Sequence, residues 1–242
     1  MGTLDDKSPL SLYFQLKEIL IEMIHKKELK FGEKIPTELE LCAQFGVSRI
    51  TVRQALAELE KEGYLIRKQG KGTFVSFPEI EQNLTSFYSF SEEFKKMGFQ
   101  PSVEVLEFNL IIATPKISEI LKLDESKLKV YYFKRLRYAD KILIAIESTY
   151  IPQHLFPNLQ ESHIKEKPLY NVMREDYGIV PNSAEESIGA TMISEKESFY
   201  FGFKKGTPAM SIERLTYRNS ECVEYTYGII RGDKFKFKVK LS

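Results

Sequence analysis

Cysteine is scarce in this 242-residue chain: only Cys42 and Cys222 occur, one in an expected helix and one near an expected strand turn. Neither a disulfide framework nor a zinc cluster can be built from them, and Cys42 beside Leu41 reads as a small core residue. Long apolar runs are missing too. Stretches such as 142–146 fall far short of the roughly 20 residues that span a bilayer, and the amino terminus has no basic-then-apolar leader pattern. A cytoplasmic protein without a membrane partner is expected. Histidine is rare and scattered (His25, His154, His163), and no serine or cysteine sits in a nucleophile-elbow context. Glycine-rich phosphate loops of the dinucleotide or P-loop kind are absent. No catalytic residues, no metal site and no cofactor are expected, and the lone histidines read as surface or capping residues.

Charge of one sign is also lacking. There are 35 Lys+Arg against 34 Asp+Glu, a net charge of +1, so gross charge does not announce a nucleic-acid partner. The local pattern says more: from Gly63 to Ser76 there are Arg67, Lys68 and Lys71 and no acid. The acids of this first region are expected to face away from any DNA.

With 43% hydrophobic residues, the chain can bury real cores in one large or two modest domains. Ser8-Pro9 reads as a helix cap, and Leu12, Leu16, Ile19, Leu20, Met23 and Ile24 follow at helical spacing. This first helix is expected to end near residues 30–32. Thr37 with Glu40 three residues on is a capping box for a short second helix. Gly46-Val47 makes the turn, and Ser48 caps a third helix with Val52, Leu56 and Leu59 as its buried stripe, stopped by Gly63. The polar and basic start of that helix carries Ser48, Arg49, Thr51 and Arg53. That is what a recognition helix needs, because its first residues reach base edges and arginine forks onto guanine. Two strands then flank Gln69-Gly70-Lys71-Gly72, a basic hairpin tip able to lie against the DNA backbone or in the minor groove. By itself a capped helix pair with two arginines is only a helical hairpin. Thr37 and Glu38 have an obvious capping role, whereas Arg49 and Arg53 are expected to lack a carboxylate partner.

The residues now carry a resemblance. Ile35-Pro36-Thr37-Glu38, Phe45-Gly46-Val47-Ser48-Arg49, Thr51-Val52-Arg53-Gln54-Ala55-Leu56 and Gly70-Lys71-Gly72-Thr73-Phe74-Val75 closely resemble the winged helix-turn-helix of GntR-type regulators, over the first third of the chain. The resemblance implies an operator-DNA interface of Thr37, Glu38, Ser48, Arg49, Thr51, Arg53, Gln69, Gly70 and Lys71. Leu39 departs from it, standing where many relatives carry an arginine that contacts DNA.

Phe77-Pro78 breaks the wing, so the domains are expected at 1–76 and 84–242 with a linker and hinge at 77–83. Beyond it, strands are expected at 103–113, 129–138, 142–150, 180–192, 209–218, 223–231 and through Lys240. Helices are expected from Thr114-Pro115, from Pro168 to Gly178 and from Ser194. The fold class is therefore α+β, a mostly antiparallel sheet with flanking helices behind the winged domain. Arg135 and Arg137 lie two apart on a strand with Tyr131 and Phe133, hence on one face, where a facing anion would relieve their repulsion. A solvated strand edge is the plainer alternative.

This second region resembles the UTRA effector-binding domain of the HutC branch of the same family, related in fold to chorismate lyase. The likeness rests on Leu84-Thr85-Ser86-Phe87, Arg135-Leu136-Arg137, Ile146-Glu147-Ser148, Val223-Glu224-Tyr225 and Arg231-Gly232-Asp233. It implies a phosphate held by Thr85, Ser86, Arg135 and Arg137 and sugar hydroxyls held by Glu147 and Glu224, with Tyr170 and Arg231 in further matching segments. Pro168, Gly228 and Ile230 replace polar residues of sugar-phosphate sensors, making that half of the pocket more apolar. Register supplies a test: a two-residue turn at Asp140-Lys141 puts Ile146 opposite Arg135, so Glu147 reaches the arginines only through a bulge or odd loop.

The expected protein is a ligand-responsive regulator, a repressor of a carbohydrate or related catabolic operon. It would bind operator DNA as a homodimer, released by a small anionic effector such as a phosphorylated sugar. The rivals are a chorismate-lyase-like enzyme fused to a DNA-binding domain and a DNA-binding module whose second domain only dimerises.

Overall fold

The computed structural model describes residues 4–5, 8–76, 80–83, 88–140 and 142–239, and the chain divides into two compact units, Met1–Glu79 and Ile80–Ser242.

In the first unit, helix α1 (Leu12–His25) buries Leu16, Leu20 and Ile24 on one face. It starts later than Ser8-Pro9 implied. The Ser8 hydroxyl accepts from the Leu10 amide, and the Gln15 side-chain amide donates to the Leu10 carbonyl at 2.8 Å, so residues 8–10 form a bend instead of a first turn. Helix α2 (Glu38–Phe45) has the full capping box expected from Thr37 and Glu40. Gly46, at φ +68°, closes it in the left-handed region that a side chain disfavours. Helix α3 (Arg49–Lys61) is capped by the Ser48 hydroxyl and buries Val52, Ala55, Leu56 and Leu59. Strands β1 (Leu65–Lys68) and β2 (Gly72–Val75) form the antiparallel wing. Ile35 donates to the Thr73 carbonyl at 3.0 Å, adding the segment before α2 to the wing's free edge. Leu41 and Leu65 complete a single core with the buried faces of α1 and α3.

The second unit begins with β3 (Ile80–Asn83), inside the expected linker. Ile80 is almost fully buried, and β3 pairs in parallel with the last strand, so these residues belong to a folded element and not to a hinge. There follow α4 (Phe90–Lys96), β4 (Pro101–Ile112), α5 (Pro115–Ile120), β5 (Lys129–Ala139), β6 (Ile142–Pro152), α6 (Glu161–Glu166), α7 (Leu169–Tyr177), β7 (Ser183–Met192), α8 (Glu195–Phe201), β8 (Pro208–Arg218), β9 (Glu221–Arg231) and β10 (Phe235–Lys238). Lys240, expected in the last strand, lies outside the described residues. Strands β4, β5, β6, β9, β8 and β7, in that order, make one antiparallel sheet.

Alternation sorts side chains between the two faces of the sheet. On one face α6 and α7 cover Tyr131, Phe133 and Ile151 with Phe156, Leu159, Ile164, Val172 and Met173. On the other, α5 packs near Val130 and Tyr225, and α8 near Leu136 and Ile146.

The β5–β6 hairpin contains the irregularity that the residue count demanded. Tyr138 pairs with Leu143, but Arg137 pairs with Ala145, so Ile144 is the extra residue of a bulge. Beyond it Arg135 stands opposite Glu147. Asp140 in the turn adopts φ +46° and its carboxylate accepts from the Gln100 amide at 2.8 Å.

Candidate DNA interface and effector pocket

The exposed start of α3 presents Ser48, Arg49 and Arg53, with Thr51 half-buried beside them. Ser48 Oγ accepts from the Thr51 amide at 3.2 Å and lies 2.9 Å from Thr51 Oγ1, so these two hydroxyls are partly engaged in building the helix end. Thr37 Oγ1 donates to Glu40 Oε2 at 2.8 Å, and the Thr37 amide, donating to the same carboxylate, draws its pKa down. The expectation that Arg49 and Arg53 lack an acidic partner is corrected. Glu38 Oε2 accepts from Arg49 Nε at 3.0 Å and its Oε1 lies 3.6 Å from Arg53 Nε. Glu38 meets the two arginines because the first turn of α2 adjoins the first turn of α3. Gln69, Gly70 and Lys71 are exposed at the wing tip.

In the second unit a cavity of about 60 Å³ is lined by Arg135, Arg137, Glu147, Tyr170, Arg214 and Glu224, among others. Two rows of cross-strand neighbours build its floor. Arg135, Glu147, Gly228 and Ile212 form one; Phe133, Thr149, Thr226, Arg214 and Glu186 form the next. Arg135 NH2 donates to Glu147 Oε2 at 3.1 Å and to Thr149 Oγ1 at 3.2 Å. Arg137 donates to the same Glu147 oxygen at 3.1 Å and to Ser91 Oγ at 3.0 Å. The plainer alternative of a solvated edge is excluded, since Arg135 is 2% and Arg137 8% exposed. Burial works to raise the Glu147 carboxyl, but Arg137 and Arg135 outweigh it and hold the group below the usual carboxylate range. Burial likewise lowers Arg135 from the usual arginine range.

A third guanidinium went unnoticed in the sequence. Arg214 Nε donates to Glu186 at 2.5 Å, its NH1 donates to the Tyr88 carbonyl and the Tyr170 hydroxyl, and it stacks 4.1 Å over the Tyr88 ring. Burial pushes the Tyr170 hydroxyl far above its ordinary value, so it stays protonated and can also meet Thr216 Oγ1 at 3.1 Å. Glu224 is 3% exposed; its Oε1 accepts from Thr226, while Oε2, like Arg135 Nε, is buried and has no hydrogen-bond partner among the described residues. Such atoms pull on an incoming donor or acceptor. At Gly228 the row is closely packed, a Cβ there standing 3.2 Å from Ile212 Cγ2 and 3.4 Å from Glu147 Cγ. Pro168 and Ile230 also line the cavity, on its apolar side.

Thr85 and Ser86 lie outside the described residues. The described part of that segment lines the cavity with Tyr88, Ser89, Phe90 and Ser91, which the sequence did not single out. Arg231 is not brought to the cavity. Its guanidinium forks onto Asp233 at 2.8 and 2.7 Å over the Phe203 ring, clamping the turn into β10.

Among the described residues no helix is long and apolar enough to cross a membrane and no group of His, Cys, Asp or Glu could hold a metal ion. Residues 12–75 match the model of the bacterial regulatory proteins, gntR family, and residues 96–236 match the UTRA domain. The HTH-type transcriptional repressor NagR of Bacillus subtilis is 36% identical over 97% of this chain and 96% of its own length. The mannosyl-D-glycerate transport/metabolism system repressor MngR of Escherichia coli is 31% identical over 93% of this chain and 94% of its own. Among solved structures, PhnF from Mycobacterium smegmatis superposes with a TM-score of 0.68 at 26% identity, covering 93% of this chain and 98% of that one. With the winged helix-turn-helix and the antiparallel sheet both in place, the chain belongs to the gntR family of bacterial regulatory proteins, a DNA-binding transcription regulator with a UTRA domain and not an enzyme.

Proposed function

We propose that this regulator is a cytoplasmic repressor that holds operator DNA as a homodimer and lets go when its second unit takes up a small anionic effector, in the first instance a phosphorylated sugar. The observation that carries the reading is the buried pair Arg135 and Arg137 sharing one oxygen of Glu147. A phosphate presents several acceptor oxygens to guanidinium forks and competes with Glu147 for the same N–H groups. In this reading Thr85, Ser86, Arg135 and Arg137 hold the anionic end, and Glu147, Tyr170 and Glu224 face the hydroxyl-bearing end. Arg214 steadies Tyr170. The relatives lend support, both being named as repressors and one of them for a mannosyl-D-glycerate system.

On the DNA side, Arg49 and Arg53 reach base edges and the phosphates that flank them, Ser48 and Thr51 approach phosphates, and Gln69, Gly70 and Lys71 follow the adjoining groove. Thr37 and Glu38 stand behind them. Glu38 in particular orients the two arginines, since a carboxylate has no attraction for phosphate. A dimer presents two such faces to a two-fold symmetric operator.

The test is a gel-shift series with the full chain, its operator and a panel of sugar phosphates, each beside its unphosphorylated sugar. One phosphorylated compound should weaken operator binding by about 5- to 150-fold, the range of ordinary coupling energies. That response should vanish in Arg135→Gln. If no phosphorylated compound alters the affinity, the release mechanism is wrong.

A further inference from the structure

Two large apolar side chains stand in the open among the charged groups of the first unit. Ile50, the second residue of α3, is 79% exposed, and Leu39, the second residue of α2, is 74% exposed. Neither serves the core, which takes Val52 and Leu41 from the same helices. Ile50 brings no helix-forming advantage either, because a β-branched side chain loses rotamer freedom in a helix. Its neighbours define its setting. Arg49 precedes it, Arg53 follows at a three-residue spacing on the adjoining helix face, and it borders a depression with Glu38, Arg53 and Gln54. Glu38 accepts a hydrogen bond from Arg49 Nε and lies 3.6 Å from Arg53 Nε, so Ile50 stands beside a pair of cations drawn to one carboxylate.

We propose that Ile50 is a specificity-determining residue that reads thymine in the operator, its side chain packing against the 5-methyl group in the major groove next to the bases that Arg49 and Arg53 reach. The flanking arginines fix the class of partner, since a polyanion is what they attract. Within a duplex, the thymine methyl is the one apolar group on a major-groove base edge, and the phosphates offer nothing to an alkyl chain. Bringing the methyl against Ile50 removes apolar surface from water on both partners. The inference rests on the operator-binding reading and adds which base is read beside the arginine contacts.

The experiment uses the full-length protein. Duplexes are first selected from a random pool, and each thymine of the enriched sequence is then replaced singly by deoxyuridine, which differs only in lacking the methyl. At one thymine or more, the replacement should weaken binding about fourfold, the worth of one buried methyl group. At that position Ile50→Ala should bind thymine and uracil equally, and Ile50→Val should keep the preference. Thermal melting of both variants should match the wild type because the side chain is exposed. Sequence-selective binding that is indifferent to every thymine methyl, or a methyl preference that persists in Ile50→Ala, overturns the inference and leaves operator binding standing. Enrichment of no sequence at all overturns both.

Discussion

Glu147 sits between two guanidinium groups that would repel each other without it, and both arginines are out of water. Removing one partner of such a cluster leaves uncompensated charge in the interior. Glu147→Ala should therefore lower the stability of the second unit by about 3–5 kcal/mol in urea unfolding. Because the folded-state pKa of Glu147 is depressed, its contribution is fully present above the unfolded carboxyl value and fades as pH falls through the folded one. The gap between wild type and variant should thus narrow in acid; a gap that widened there would show that the pairing does not stabilise the fold. At this scale the sequence disclosed what spacing can disclose. Arg135 and Arg137 share a face by strand alternation, but Arg214 joins the cavity only through the register of β8 on β9 and Glu186 through that of β7 on β8, which no local pattern specifies. Glu38 was missed as the partner of Arg49 for a similar reason, since their contact spans two helices.

Three caps made helices legible: Thr37 with Glu40, Ser48 and Thr114 each begin a helix one residue on. Ser8-Pro9 misled because its hydroxyl satisfies Leu10 in a bend, leaving α1 to start at Leu12. The β5–β6 hairpin was legible in an indirect way, because counting residues across the turn exposed a mismatch that only an insertion could repair. Ile144 is that insertion, and it is fully buried. Truncating it to alanine should cost about 2–5 kcal/mol, the usual range for emptying a core site. Deleting it should leave Arg135 opposite Glu147, because the residues beyond the bulge keep their partners once the extra one is gone, so the loss should again be that of the emptied core site. Urea unfolding of the two variants checks this, and a much larger loss on deletion would show that the bulge itself is needed for the pairing.

Across the molecule, net charge concealed the nucleic-acid partner, which shows instead in a local cluster. Arg49→Gln combined with Arg53→Gln should weaken operator binding and flatten its dependence on salt, lowering the slope of log affinity against log salt by about one for each phosphate no longer neutralised. An unchanged slope in a titration series would place the interface elsewhere. That residues 80–83 form a strand was hidden at this scale because Ile80 meets its partner Phe235 only far along the chain. That pairing orders events during synthesis. The winged unit can fold as soon as its own residues leave the ribosome, whereas β3, translated next, waits until the whole six-stranded sheet has been made and β10 emerges. A nascent chain stalled before Phe235 would carry a finished DNA-reading head on an effector domain whose opening strand is still unpaired.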